Sequence, residues 1–312
     1  MIRPHLGGVG TLMLADAYAE QLEREATMSD LAGSVLSIHR YPVKSMLGED
    51  LDACAIDERG LCGDRAYALL DTSDGKVASA KNPRKWAALF NCHAAFKEAP
   101  RAGAAIPAVR IRLPDGTEVS SDQPSSDERF STALGRGVKL NRRELSTEEI
   151  VETTLPNPWM PKLEEYWPED ITGLAHSGIV TDEAMPEGTF FDVAVIHLLT
   201  TATLARLQEL YPAGRFDLHR FRPNLLIQPT EHRTEFVEND WIGRTVRIGE
   251  DVELRITAPC GRCVMTTLPQ AGLPKDTGIL RAAVQHNGAH VGVYASVSRG
   301  GYVRHGDDVR VQ

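Results

Sequence analysis

The sequence has no long hydrophobic run, no excess of positive charge and few cysteines, and each shortage removes a class of protein. No stretch of its 312 residues approaches the ~20 apolar residues that a membrane-spanning helix needs. Acidic residues outnumber basic ones, 43 to 34, for a formal net charge of -9. The chain therefore lacks the overall basic surface that neutralises nucleic-acid phosphates. Five cysteines, an odd number in so long a chain, do not make a disulfide framework and point to a reducing compartment. No Gly-x-Gly-x-x-Gly segment follows a strand pattern, so the usual signature of nicotinamide binding is missing. Repeats and low-complexity tracts are absent too. What is left is a cytoplasmic globular protein that crosses no membrane and binds no nucleic acid, with 42% apolar residues to build a substantial core.

Residues 1–30 read as an N-terminal extension. Leu12 to Glu25 has a helical composition, but it is acidic and lacks a small-residue cleavage site. That suits neither a secretory signal nor a transit peptide. Residues 31–140 follow as short, closely spaced strands. Val35–Tyr41 and Leu51–Ile56 alternate, and Ala66–Asp71 closes on the turn Thr72-Ser73-Asp74-Gly75-Lys76. Val109–Leu113 and Thr117–Ser120 flank Pro114-Asp115-Gly116 as a second hairpin. This spacing suggests a small barrel or sandwich. In residues 141–190, Pro156, Pro158, Pro161, Pro168 and Pro186 mix with acidic residues, Trp159, Tyr166 and Trp167. Proline at that density forbids long helices and interior strands, so the segment reads as a connection that partly covers a site. Residues 191–312 hold the clearest helix, Thr200–Leu210, and then strands at Phe221–Ile227, Trp241–Ile248, Val252–Ile256, His290–Val297 and Gly306–Val311. The fold class expected is mainly β with flanking helices, an α+β arrangement.

The stretch Pro259-Cys260-Gly261-Arg262-Cys263-Val264-Met265-Thr266-Thr267 carries the most chemistry. A thiolate is the nucleophile or metal ligand, and an adjacent guanidinium favours that charged form. The strand-forming residues on both sides place the pair on a tight turn between strands. A zinc knuckle needs a second ligand pair, and Cys54, Cys62 and Cys92 form no second Cys-x-x-Cys. Three readings remain open: a thioredoxin-type pair, for which the following residues are a poor helix start, two structural cysteines, or one ligating or nucleophilic thiolate.

Two basic clusters stand out in an acidic chain. One is His39, Arg40, Lys44, Arg59 and Arg65, and the other is Arg215, His219, Arg220 and Arg222. Guanidinium pairs with phosphate bidentately and lysine acts as a point charge. Asn224 adds a donor and acceptor pair suited to a heterocycle edge. Solvated surface charges are the competing reading for each cation alone.

Taken in order, Tyr41-Pro42-Val43-Lys44-Ser45, Gly63-Asp64-Arg65, Phe221-Arg222-Pro223-Asn224, Pro259-Cys260-Gly261-Arg262-Cys263 and Gly292-Val293-Tyr294 through His305-Gly306-Asp307 resemble the MOSC superfamily. The resemblance runs from about Ser34 to the end and covers an N-terminal β-barrel module and the MOSC domain proper. The architecture is similar to that of the amidoxime-reducing component and its bacterial relatives. The resemblance implies a molybdenum cofactor (molybdopterin with Mo) between the modules, with Cys263 as metal ligand and catalytic residue. It also implies that Lys44 and Arg65 hold the cofactor phosphate, that Thr201, Arg222 and Asn224 contact phosphate and pterin, and that Ser45 and Arg262 belong to the cofactor site. Ser79–Trp86 departs from the family's Thr-x-Arg segment, so Lys81 or Arg84 is expected to substitute. The reaction implied is reduction of N-hydroxylated or N-oxide-type small molecules. With the sequence ending at Gln312, electrons are expected from a separate iron–sulfur or flavin protein. Sulfur transfer through a persulfide on Cys263 or Cys260, and non-enzymatic cofactor carriage, are the alternatives.

Overall fold

The structure, a computed structural model, describes residues 30–142, 189–231 and 234–312. The N-terminal extension and nearly all of the Pro-rich connection lie outside the described residues. The first part of the chain forms β1 (Leu31–Arg40), β2 (Glu49–Leu51), β3 (Ala53–Asp57), β4 (Gly60–Leu61), β5 (Tyr67–Asp71), α1 (Pro83–Trp86), β6 (His93–Phe96), β7 (Val109–Arg112), β8 (Glu118–Ser120), α2 (Ser126–Leu134) and β9 (Val138–Arg142). The second part forms β10 (Ile196–Thr200), α3 (Thr201–Leu210), α4 (Leu218–Phe221), β11 (Leu225–Pro229), β12 (Thr245–Ile248), β13 (Val252–Gly261), α5 (Gly278–Asn287), β14 (His290–Arg299), β15 (Gly301–Arg304) and β16 (Asp308–Val311). The expected mainly-β class with flanking helices is what the chain adopts. Among the described residues no helix is long and apolar enough to cross a membrane.

Seven strands close into a barrel in the order β1, β11, β10, β14, β13, β12, β16 and back to β1, with β2 added along the end of β1. One of these pairings, β10 with β11, is parallel. A parallel pair needs a crossover, and α3 and α4 supply it. Alternating apolar residues fill the interior, among them Val35, Ile38, Leu198, Leu225, Val246, Leu254, Val293 and Val309, all at most 1% exposed. Each such side chain stabilises the barrel by about 1.5–3 kcal/mol. Residues 43–138 build a second core around Met46, Tyr67, Trp86, Ile111, Phe130 and Val138. Its strands pair as β5–β9 and β6–β7–β8. Strand β1 precedes this core in sequence yet belongs to the barrel. Ala80 and Phe90 from the first module pack against Val264 and Leu268 from the second.

Local chemistry explains most of the elements. Thr200 caps α3 by accepting from the Thr203 N–H at 3.2 Å, as the sequence suggests. The hairpin β7–β8 forms as expected. The turn after β5 folds back, with Asp71 N–H donating to the Lys76 carbonyl at 2.8 Å, but the ladder partner of β5 is the distant β9. Two segments depart from the strand expectation: Trp241, expected to open a strand, ends the 3-10 turn Val237–Trp241, and Val264–Thr267, of strand-like composition, is itself a 3-10 turn. In the second, the Thr266 hydroxyl donates to the Cys263 carbonyl at 3.0 Å and the Thr267 hydroxyl to the Val264 carbonyl at 2.8 Å. Such side-chain-to-backbone bonds compete with sheet pairing and overcome β propensity.

Candidate functional site

The Cys-x-x-Cys stretch sits where β13 ends. Three register shifts interrupt the β13–β14 ladder, the last between Pro259 and Gly261, and proline is tolerated at such irregularities. Cys260 is fully buried whereas Cys263, on the turn, is half-buried. Arg262 is held from three sides. Its backbone N–H donates to the Ala289 carbonyl at 2.8 Å, Nη1 reaches Cys260 Sγ at 2.7 Å and Nη2 donates to the Phe221 carbonyl at 2.8 Å. Burial alone would lower the Arg262 pKa, but Cys260, Tyr294 and Cys263 together carry it above the ordinary arginine value. Its Nε is buried and has no partner. Burial, then Cys260, pushes the Tyr294 phenol well above its usual range. Arg220 fixes the turn beyond Cys263 by donating to the carbonyls of Thr266 at 3.0 Å and Pro274 at 2.8 Å.

A second group gathers on Tyr41. Arg222 ends α4 in the left-handed region, with φ 54°, and its Nη1 donates to the Met46 carbonyl at 2.6 Å. Arg65 is also left-handed, φ 48°. The two guanidinium carbons lie 4.1 Å and 4.5 Å from the Tyr41 ring centroid, within cation–π range. Burial, and next the neighbouring Arg65, bring the Arg222 pKa down to about 10. Burial pushes Tyr41 up to about 12. Asp64 anchors the group: it pairs with Arg65 and accepts from Tyr41 N–H at 2.7 Å and Asn224 Nδ2 at 2.8 Å.

The third group is an ion triplet. Lys44 Nζ donates to Asp192 Oδ1 at 2.5 Å and to the Phe190 carbonyl at 2.8 Å. Lys81 Nζ lies 3.2 Å from Asp192 Oδ2. Burial leaves Lys44 below the ordinary lysine value despite Asp192, while Asp192 and Cys263 carry Lys81 above it against its own burial. Although burial opposes ionisation, the two lysines hold the Asp192 carboxyl far below the usual carboxylate range. Ser45 follows Lys44 in a left-handed conformation, and its Oγ accepts from the Ala80 N–H at 3.1 Å.

Electrostatic coupling links the three groups: Lys44 feels Arg65, Arg222 feels Asp192, and Lys81 feels Cys263 and Arg262. Lys44, Ser45, Arg65, Arg222, Arg262 and Cys263 are therefore brought together. Of the two substitutes expected in Ser79–Trp86, Lys81 joins this cluster and Arg84 is exposed on α1. Thr201 stands apart, beyond the far end of β10, with its hydroxyl on Gln228 Oε1 at 3.2 Å. Asn224 is buried and spent inside the protein. Its amide donates to Asp64 and to the His39 carbonyl, and its oxygen accepts from the His197 N–H at 3.1 Å. Arg40 pairs with Glu49 and also reaches Cys54 Sγ at 3.9 Å, and Arg59 pairs with Asp57. Sequence reasoning missed Asp192, the Tyr41 platform and His197. The His197 ring donates to the Val291 carbonyl at 3.0 Å, over Gly292, where a Cβ would lie 2.3 Å from Nε2. Burial, and then Arg262, push its pKa down to about 3.

Two family models match the sequence. The family model for the MOSC domain matches residues 187–310, and that for the MOSC N-terminal beta barrel domain matches residues 32–122. The chain belongs to the MOSC family. MOSC proteins as a family are associated with molybdenum-cofactor binding. No curated protein matches the sequence significantly. Among solved structures, the YUAD protein of Bacillus subtilis is 12% identical, with 90% of this chain and 96% of that one covered and a TM-score of 0.42. YiiM from Geobacillus stearothermophilus is 17% identical and YiiM from Escherichia coli 16%, each over 38% of this chain with a TM-score of 0.28. The chain spans about half the length of the YiiM proteins, 54% in both cases.

Proposed function

We propose that this MOSC protein is a molybdenum-cofactor-dependent oxidoreductase that reduces N-hydroxylated or N-oxide-type compounds. The observation that carries the reading is a half-buried thiol, Cys263, beside a cluster in which five cations face two carboxylates. Lys44, Lys81, Arg65, Arg222 and Arg262 exceed Asp64 and Asp192, which suits a phosphate dianion. Among the described residues no three His, Cys, Asp or Glu side chains converge on a metal position. A metal here has to bring most of its own ligands, as one held by a pterin dithiolene does, and a soft metal suits a single protein thiolate. The buried, partnerless Arg262 Nε supplies one more donor for such a group.

Cys263 is assigned as the thiolate ligand. Lys44, Lys81 and Arg65 hold the phosphate, and the Ser45 hydroxyl, which only accepts within the protein, has its hydrogen free to join them. Arg222 and Arg262 orient the remainder. When bound, the cofactor supplies two-electron removal of an oxygen atom from nitrogen. The balance is R–NHOH plus two electrons and two protons giving R–NH2 and water. The buried rings of Tyr41, Phe90 and Phe191 pack against Arg65 and Arg222 and limit water around these cations. Electrons are assigned to a separate iron–sulfur or flavin partner.

Protein made in a cofactor-rich host should carry stoichiometric molybdenum with pterin fluorescence, and reduced viologen should drive reduction of a model hydroxylamine where NADH alone does not. Labile sulfane sulfur without metal would replace this reading with sulfur transfer. Full molybdenum occupancy without turnover by any donor would replace it with a cofactor carrier.

A further inference from the structure

Just before the Tyr41 platform, β1 carries Ser37 and His39 two residues apart, hence on one face. His39 is 5% exposed and both its ring nitrogens are bonded. Nδ1 meets Asp50 Oδ1 at 2.6 Å and Nε2 meets Ser37 Oγ at 2.7 Å. The register His39 opposite Asp50 in the β1–β2 pairing sets the first contact. An ionised carboxylate only accepts, so Nδ1 carries the hydrogen, Nε2 presents its lone pair, and the Ser37 hydroxyl must be the donor. The tautomer and the direction of the serine proton are thereby fixed. Burial, partly offset by Asp50, holds His39 below the ordinary histidine value, so the ring is neutral and able to accept a proton. His39 and Asp50 also line a cavity of about 370 Å³ together with Tyr41, Glu49, His93 and His219, whereas Ser37 does not line it. His219 packs edge-on to His39 across 6.5 Å, with its Nδ1 on Asp217 Oδ1 at 2.6 Å.

We propose that Ser37, His39 and Asp50 form a nucleophile–base–carboxylate triad that accepts acyl groups from small esters. The nitrogen assignment is the one such chemistry requires, with the base bonded to the nucleophile through Nε2 and to the orienting carboxylate through Nδ1. Ser37 Oγ bonds to the acyl carbon as its proton passes to His39 Nε2. The carbon–oxygen bond to the alcohol breaks, and the alcohol leaves with that proton. Water, deprotonated by the same nitrogen, then cleaves the Ser37 ester and releases the carboxylic acid. No electrons change hands and no metal takes part, so the activity stands independently of the molybdenum reading.

The test is covalent labelling of the full-length protein with a fluorophosphonate probe, mapped by peptide mass spectrometry, alongside hydrolysis of p-nitrophenyl acetate. The wild type should carry one label, on Ser37, and Ser37→Ala should carry none while melting at the wild-type temperature. Asp50→Asn is the decisive variant, because its side chain is 76% exposed and the fold does not depend on it. Losing the charge that orients His39 should slow labelling by about tenfold or more. An unlabelled wild type, a label on another residue, or a smaller slowing in Asp50→Asn would each overturn the proposal, the last by leaving His39 a merely satisfied buried histidine.

Discussion

Replacing Asp192 by Asn tests whether the ion triplet holds the two modules together. Asp192 accepts from Lys44 at 2.5 Å and faces Lys81 at 3.2 Å. A hydrogen bond to a charged group contributes about 1.5–3 kcal/mol. The Asp192 side chain is 35% exposed, so solvent screens part of this, and the Asn oxygen keeps one neutral contact. The expected loss is about 2 kcal/mol at pH 7, read as a lower urea midpoint with an unchanged m-value. The sign of the pH dependence follows from the depressed Asp192 pKa. A carboxylate held below its unfolded value stabilises the fold above pH ~4 and loses that contribution as pH falls. The gap between wild type and Asp192→Asn should therefore be full at pH 7 and shrink steadily below pH ~4. A gap under ~0.5 kcal/mol at pH 7, or one that stays constant in acid, would refute the reasoning.

Other perturbations reach different parts of the same structure. His197, neutral in the fold with its pKa pushed to about 3, protonates first in the unfolded chain. Stability should fall from pH 6.5 toward 3 by up to ~1.4 kcal/mol per pH unit, and His197→Gln should flatten that slope in denaturation curves. Asn224→Ala removes three internal hydrogen bonds and strands the buried His197 N–H, for a loss of about 3 kcal/mol measurable by urea denaturation. Cys263→Ser should lower molybdenum content, by elemental analysis, far more than Cys260→Ser, and equal content in all three proteins would remove Cys263 as ligand.

Side-chain type was readable in the sequence far more than side-chain direction. The strand alternation, the β7–β8 turn and the α3 cap all depend on neighbouring residues, and local pattern reports them well. Barrel closure depends on partners more than 180 residues apart, such as Ile38 opposite Leu225, and a period of two says which face is apolar without naming the neighbour. Cys263 and Arg262 were legible because two thiols three residues apart are rare. Asp192 was not, being one of 43 acidic residues distinguished only by the two lysines the fold brings to it. Asn224 shows the limit from the other side. Its amide offers the groups a heterocycle edge needs, yet the fold turns every one of them inward.

That inward turn has a consequence for how the two proposed sites relate. Ser37, His39 and Tyr41 follow at intervals of two along one extended segment, so the serine, its base and the platform for Arg65 and Arg222 share a backbone. Asn224 binds that segment from the side. One amide group donates to the His39 carbonyl at 3.3 Å and to Asp64 at 2.8 Å, and Asp64 in turn holds Tyr41 N–H and Arg65. The position of the base and the position of the cation platform are thus set by the same buried contacts. A rigid strand does not allow either to shift by a fraction of an ångström alone, because the barrel interior behind it is close-packed. Asn224 and Asp64 therefore fix the His39 carbonyl and the Tyr41 N–H together, while no residue belongs to both proposed sites.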